Sequence, residues 1–167
     1  MIKQTTHCSL MAMKQNSRNE HNLSLEIQNK ILVYLAQRDH SPKELIDKLV
    51  VRFTPDEAQK AVDWAKNKGW IKSDAELSHK TYQRLSEKNK GIFYINQYLC
   101  SKGLPEVQPD SELELEKAIR VLQKKYYNKT IDFSDFKQKQ KAFAALKNKG
   151  FENDVITKSL KLFKEDF

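Results

Sequence analysis

Two short motifs mark helix starts in this chain. Ser41-Pro42-Lys43-Glu44 and Thr54-Pro55-Asp56-Glu57 each place a hydroxyl residue at the N-cap, proline at the first helical position and glutamate at the third. The hydroxyl and the glutamate each bond a backbone amide that the first turn leaves unpaired, and proline presets the helical φ angle. Ser73-Asp74-Ala75-Glu76 and Ser111-Glu112-Leu113-Glu114 repeat the serine–glutamate spacing. Four helix starts are therefore predicted.

Glycines mark the predicted helix ends. All four glycines directly follow a lysine: Gly69, Gly91, Gly103 and Gly150. Glycine adopts the left-handed conformation that ends a helix, and the lysine charge suits the negative end of the helix dipole. Each Lys-Gly pair is therefore predicted to terminate a helix.

Apolar residues recur at helical spacing between these marks, and no alternating strand pattern is visible. The pattern predicts an all-α protein with helices over residues 25–38, 42–51, 55–68, 74–88, 92–101, 112–127, 135–148 and 153–163. Pro105 and Pro109 interrupt a weaker stretch that ends near Asp110.

The helices fall into three sets that form a weak internal repeat. Phe53, Leu104 and Phe151 occupy matching junctions and lie about fifty residues apart. The alternative is chance similarity among helical sequences. We predict a flexible tail over residues 1–24 and three tandem three-helix repeats over residues 25–72, 73–110 and 111–167, in which neighbouring units complete each other's core.

Charge favours acidic partners. The net charge is +8, and the segment 111–167 is its most basic part, with 13 basic and 9 acidic residues. Such a surface suits nucleic acid or an acidic protein surface, although solvated lysines would give the same count. No apolar run approaches the ~20 residues of a membrane span, and two cysteines make no disulfide framework. We therefore expect a cytoplasmic protein without a membrane segment.

Catalytic and cofactor motifs are absent from the sequence. The histidines are scattered, no metal-ligand spacing occurs, and neither a Walker A loop nor a G-x-G-x-x-G segment is found. His40 precedes the Ser41 cap and is interpreted as structural. We expect a non-enzymatic protein with no cofactor, no metal and no small-molecule substrate.

The segment from Leu35 to Leu49 resembles a known family. Its Arg38-Asp39-His40-Ser41, followed by Glu44-Leu45 and Lys48-Leu49, is similar to the opening of the RecX family, bacterial regulators of the RecA recombinase. The later Lys68-Gly69-Trp70-Ile71, and Lys90-Gly91-Ile92 with Ile95 and Leu99, resemble the family's subsequent turns and helix. The resemblance covers roughly residues 25–163.

The resemblance implies an elongated, curved array of three-helix units that lies in the groove of the RecA filament on DNA. It implies a role in DNA repair, recombination and the SOS response, usually by inhibiting RecA, with single- or double-stranded DNA contacted secondarily. We expect a monomer. The candidate partner-binding residues are basic side chains near helix ends and one tyrosine: Lys66, Lys68, Lys88, Lys90, Lys102, Lys124, Lys125, Tyr126, Lys147 and Lys149.

Two alternatives stay open for these residues. Each lysine could simply cap its own helix, and one of the adjacent tyrosines, Tyr126 and Tyr127, could belong to the core. Three-helix units with short turns also describe helix-turn-helix domains, so a direct DNA-binding protein is the second hypothesis. Gln59, Lys60, Asn96 and Gln97 are the side chains that could read bases, but they do not cluster.

Overall fold

The structure is a computed structural model that describes residues 24–127 and 135–165. Apart from Ser24, the predicted tail over residues 1–24 lies outside these ranges. The described residues contain eight α-helices and no strand, which confirms the all-α prediction. The helices are α1 (Leu25–Gln37), α2 (Pro42–Leu49), α3 (Pro55–Asn67), α4 (Asp74–Glu87), α5 (Ile92–Ser101), α6 (Ser111–Lys125), α7 (Phe136–Asn148) and α8 (Asn153–Glu165).

Helix starts follow the local chemistry. Both Ser41 and Thr54 form complete capping boxes, in which the hydroxyl accepts from the third amide and the glutamate accepts from the cap. The Ser111 prediction is wrong, because Ser111 is the first residue of α6 and Asp110 is its N-cap. The Asp110 carboxylate accepts hydrogen bonds from Glu112 N and Leu113 N. This leaves the Glu114 side chain available for another contact.

Helix ends follow the glycine prediction at three of four positions. Gly69, Gly103 and Gly150 have left-handed φ angles of 71°, 65° and 85°. Gly91 differs, because its φ is −78° and it serves as the N-cap of α5. The left-handed residue that follows α4 is Asn89, with a φ of 51°.

The chain divides into two compact units, one ending at Ser73 and the other beginning at Asp74. In the first unit, α1, α2 and α3 surround one apolar core that includes Ile31, Leu45 and Ala61. The second unit holds α4 to α8 and two apolar clusters. One cluster lies among α6, α7 and α8 around Phe151, and the other lies around Ile95 and Leu99 of α5.

Residues 104–110, between α5 and α6, are not helical. The second set therefore contributes two helices, and the weaker third helix predicted to end near Asp110 is absent, because Pro105 and Pro109 interrupt the helical pattern there. Side-chain bonds hold this segment in place: the Asn96 amide donates to Val107 O and accepts from Val107 N, at 3.1 and 3.0 Å. Ser78 Oγ donates to Pro105 O at 2.9 Å. Side chains of α4 and α5 thus hold this non-helical connection in place.

Candidate partner-binding site

The motif that carries the family resemblance forms a structural corner between α1 and α2. Arg38 bonds the Glu44 carboxylate through both terminal guanidinium nitrogens, at 3.0 and 3.4 Å. The same carboxylate accepts from the Ser41 amide at 3.2 Å. Asp39 pairs with Lys72 at 3.2 Å, which ties the corner to the segment after α3. These polar groups bond one another, so the motif stabilises the first unit.

His40 is buried in this corner, as its structural interpretation requires. Its Nδ1 lies 2.9 Å from Arg38 O, and its Nε2 lies 3.0 Å from Lys48 Nζ. The ammonium can only donate, so Nε2 accepts and the proton of a neutral ring sits on Nδ1, where it donates to Arg38 O. Burial lowers the pKa of His40, and the nearby Arg38 and Lys48 charges lower it further.

Four of the predicted lysines line one groove in the second unit. The groove has a volume of about 470 Å³ and is formed by the turn after α4 and by the C-terminal halves of α6 and α7. Its lining residues are Glu87, Lys88, Asn89, Val121, Lys124, Lys125, Ala145 and Lys149. Four cations and one carboxylate give this basic groove an excess of three positive charges. It therefore suits an anionic partner.

Two backbone hydrogen bonds join the walls of the basic groove. Gly91 N donates to Lys149 O at 2.9 Å, and Phe93 N donates to Gly150 O at 3.0 Å. A Cβ at Gly91 would lie 2.4 Å from the carbonyl carbon and oxygen of Gly150, and one at Gly150 would lie 2.4 Å from Tyr94 N. Only glycine permits this approach at both positions. The contact brings Lys88 and Lys149 to the same groove.

A buried ion pair on α6 holds the other side of this junction. Glu114 and Lys117 are almost completely buried and bond each other. Glu114 Oε2 accepts from Ile92 N at 3.1 Å, whereas Lys117 Nζ donates to Lys90 O at 2.9 Å and Ser86 Oγ at 3.3 Å. The carboxylate thus caps α5, whose own N-cap, Gly91, has no side chain.

An aromatic ring completes the surroundings of this pair. Lys117 Nζ lies 5.5 Å from the centre of the Tyr82 ring, within cation–π range. Burial raises the pKa of the Tyr82 phenol. The pair is enclosed by residues of α4, α5 and α6, so it connects three helices of the second unit.

The other predicted residues lie outside the basic groove. Lys66 and Lys68 are exposed at the end of α3, in the first unit. Lys90 Nζ lies 3.8 Å from the centre of the Tyr94 ring, and Lys102 Nζ lies 5.6 Å from that of Tyr98. Lys147 Nζ donates to Asn153 Oδ1 at 2.8 Å. Lys90, Lys102 and Lys147 thus lie near helix ends, and each also contacts a neighbouring side chain.

Tyr126 takes the core position that the sequence left open. Its half-buried ring packs against the apolar cluster of α6, α7 and α8, and burial raises the pKa of its phenol. Lys125 Nζ lies 5.5 Å from the centre of this ring. The tyrosine supports the end of α6, from which Lys124 and Lys125 reach the groove.

Glu114 and Lys117 are not among the candidate residues that the sequence predicts. The sequence predicts Glu114 only as the glutamate of a capping box on its own helix. A signal was present, because both residues fall on the apolar face that continues through Ala118, Val121 and Leu122. Opposite charges three residues apart on a buried face are typical of an internal ion pair.

A second, larger cleft of about 850 Å³ lies between α5, residues 106–109 and the α7–α8 turn. Its charged lining residues are Glu106, Lys147 and Glu152, so it lacks the positive excess of the basic groove. Within residues 24–127 and 135–165, no group of three histidine, cysteine or acidic side chains could hold a metal. No helix in the same ranges is long and apolar enough to cross a membrane.

The described residues form a helical protein with a lysine-lined groove beside a close glycine–glycine contact. Residues 112–160 match the sequence profile of the third three-helix domain of RecX. The regulatory protein RecX of Leptothrix cholodnii is 30% identical over 145 residues, covering 83% of this chain and 89% of the relative. That of Clostridioides difficile is 29% identical over 163 residues, covering 88% and 76%. The chain belongs to the RecX family.

Solved structures show the same fold. RecX from Lactobacillus salivarius superposes with a TM-score of 0.69 at 20% identity, covering 83% of this chain and 95% of that one. A second crystal structure, of a regulatory protein RecX, gives a TM-score of 0.67 at 17% identity, covering 96% and 80%. These similarities support the helical architecture.

Proposed function

We propose that this chain binds the RecA filament on DNA and lowers the ATPase and strand-exchange activity of that filament. The observation that carries the proposal is the basic groove, found in a member of a family of regulatory proteins. In this proposal the chain acts in the cytoplasm as a monomer, hydrolyses no ATP itself and contacts DNA secondarily.

The basic groove suits this role because its charges are held on a rigid frame. Lys88 follows α4, Lys124 and Lys125 end α6, and Lys149 caps α7. The Gly91–Lys149 and Phe93–Gly150 hydrogen bonds fix the two walls. Because the backbone of the groove is already ordered, binding need not order it, and the field of the lysines steers an acidic partner.

The test reverses three exposed groove charges at once, by Lys88→Glu, Lys124→Glu and Lys125→Glu. Purified parent protein is expected to lower ATP hydrolysis by RecA on single-stranded DNA and to sediment with the filament. The variant should need at least about tenfold more protein for the same effect, because like charges repel at an acidic surface. Circular dichroism checks that the variant is folded.

The matched control reverses three exposed lysines elsewhere, by Lys43→Glu, Lys158→Glu and Lys161→Glu. It carries the same total charge and should retain inhibition. If both variants lose inhibition equally, net charge rather than the groove is responsible. If the parent neither changes RecA activity nor sediments with the filament, the proposed function is wrong.

Direct DNA binding is the second hypothesis, and excess naked DNA separates it from filament binding. A protein that acts only by binding DNA would be titrated away from RecA by added DNA. A filament-binding protein should continue to sediment with RecA under the same conditions. The salt dependence of DNA affinity then measures how many phosphate contacts contribute.

A further inference from the structure

Three phenylalanines remain exposed in the second unit. Phe136 is 74% exposed, Phe143 is 36% exposed and Phe93 is 61% exposed. Phe136 and Phe143 are seven residues apart on α7, so they lie on one face about 10 Å apart along the helix. Lys147 follows one turn later, and its Nζ lies 5.7 Å from the centre of the Phe93 ring. We call Phe136, Phe143, Lys147 and Phe93 the aromatic stripe.

Lysines accompany the aromatic stripe along α7. Between Asp135 and Glu152 the chain contains five lysines and no acidic residue. At the other end of the stripe, Phe93 and Lys147 line the cleft that also contains Glu106 and Glu152. Lys139 lies one turn after Phe136 and one turn before Phe143, near the same face, and it is exposed. Exposed aromatic rings thus alternate with ammonium groups along α7.

The aromatic stripe and the basic groove use opposite sides of α7. Ala145, which lines the groove, is nine residues from Phe136 and therefore half a turn away around the helix. Ala142 and Leu146 are buried on a third side, in the core of the second unit. A ligand on the aromatic stripe would consequently leave the groove open.

We propose that the aromatic stripe binds single-stranded nucleic acid, with bases stacked on the phenylalanine rings and phosphates paired with Lys139 and Lys147. A single strand offers both flat π-faces and a regular row of negative charges, which matches alternating phenylalanine and lysine. A duplex offers the same charges but conceals the faces of its bases. The inference adds a DNA contact to the proposed filament contact, and it does not depend on the basic groove.

The experiment measures fluorescence anisotropy of a labelled oligothymidylate of about 16 nucleotides, the upper site size of a single-strand-binding module. An abasic strand of equal length and a blunt duplex are the comparison ligands. The parent should bind oligothymidylate at least about fivefold more tightly than either. Phe136→Ala and Phe143→Ala should each weaken oligothymidylate binding about fivefold or more and leave abasic-strand binding unchanged.

Two control variants separate stacking from other effects. Leu162→Ala removes an exposed apolar side chain from α8 of the same unit and should leave oligothymidylate binding unchanged. Lys139→Gln should lower the slope of log affinity against log salt by about 0.7, the loss of one single-strand phosphate contact. Circular dichroism verifies folding, which exposed substitutions should preserve.

Equal binding of the abasic strand and oligothymidylate, or unchanged binding by both phenylalanine variants, would overturn the inference. The stripe would then be a surface for another protein. These outcomes leave the RecA assay of the groove variant untouched, because that assay tests other side chains. Conversely, loss of the filament effect would not alter the oligonucleotide result.

Discussion

His40 has a stability role that depends on its protonation state. The ring is buried and accepts from Lys48 Nζ, so a proton on Nε2 would remove this acceptor and place two cations in contact. Arg38 lies beside the ring as a third cation, while Glu44 is the nearby anion. The neutral form is thus the one compatible with the folded corner, and burial lowers the pKa of His40 accordingly.

The first prediction is a pH-dependent stability that His40→Gln removes. Because the folded-state pKa is lowered, the unfolded chain binds the proton first, near its ordinary pKa of about 6.5. The free energy of unfolding should be constant above that pH and fall below it, by at most about 1.4 kcal/mol per pH unit. Urea unfolding at about pH 7.5 and pH 5.5 measures the change.

His40→Gln should lower stability at both pH values yet flatten the difference between them, since glutamine does not titrate. The matched control is His79→Gln, at an exposed position on α4. It should keep the pH dependence of the parent. An equally steep pH dependence in the His40 variant would show that another group is responsible.

Among the helices of the second unit, α6 holds the start of α5 in place. Its Glu114–Lys117 pair bonds the backbone on both sides of Gly91, at Lys90 O and Ile92 N. Gly91 N and Phe93 N bond the α7–α8 turn. Four consecutive residues, 90–93, are therefore bonded alternately by α6 and by that turn.

The second prediction is that Lys117→Met costs about 3–5 kcal/mol, because it leaves the Glu114 carboxylate buried without its cation. Adding Glu114→Gln should recover a large part of this loss, since the amide oxygen can still accept from Ile92 N. Urea unfolding of the parent, both single variants and the double variant gives the coupling energy. A loss of less than about 1 kcal/mol on Lys117→Met would contradict this prediction.

An exposed pair on the same helix supplies the control. Arg120 and Glu116 are 3.8 Å apart, and both side chains are more than half exposed. Arg120→Met should change the free energy of unfolding by less than about 1 kcal/mol, because water screens this pair. The contrast isolates burial as the cause.

For the whole molecule, the third prediction concerns residues 1–23. All predicted caps and apolar helical faces begin at or after residue 24, and α1 begins at Leu25. Deleting residues 1–23 should therefore leave the far-UV circular dichroism of the chain helical and nearly unchanged in total intensity. A large loss of helical signal would contradict this prediction.

Helix positions were accessible from the sequence because their causes are local. The Ser41 and Thr54 boxes join residues three apart, and three Lys-Gly ends need one left-handed glycine each. Such signals act within one helical turn, so most helix bounds were predicted to within one or two residues. The Arg38–Leu49 segment also identified the family that the comparisons established.

Tertiary structure alone decided which lysines line the same groove. Lys88 and Lys149 come together because Gly91 approaches Gly150 closely, a contact between residues far apart in the chain, and Lys124 reaches the same groove from α6. At the same contact, Gly91 is the N-cap of α5 instead of the end of α4. Glu114 accepts from the amide of Ile92 instead of capping its own helix. A short motif specifies its own turn, whereas these roles depend on the packing of separate helices, which no local pattern contains.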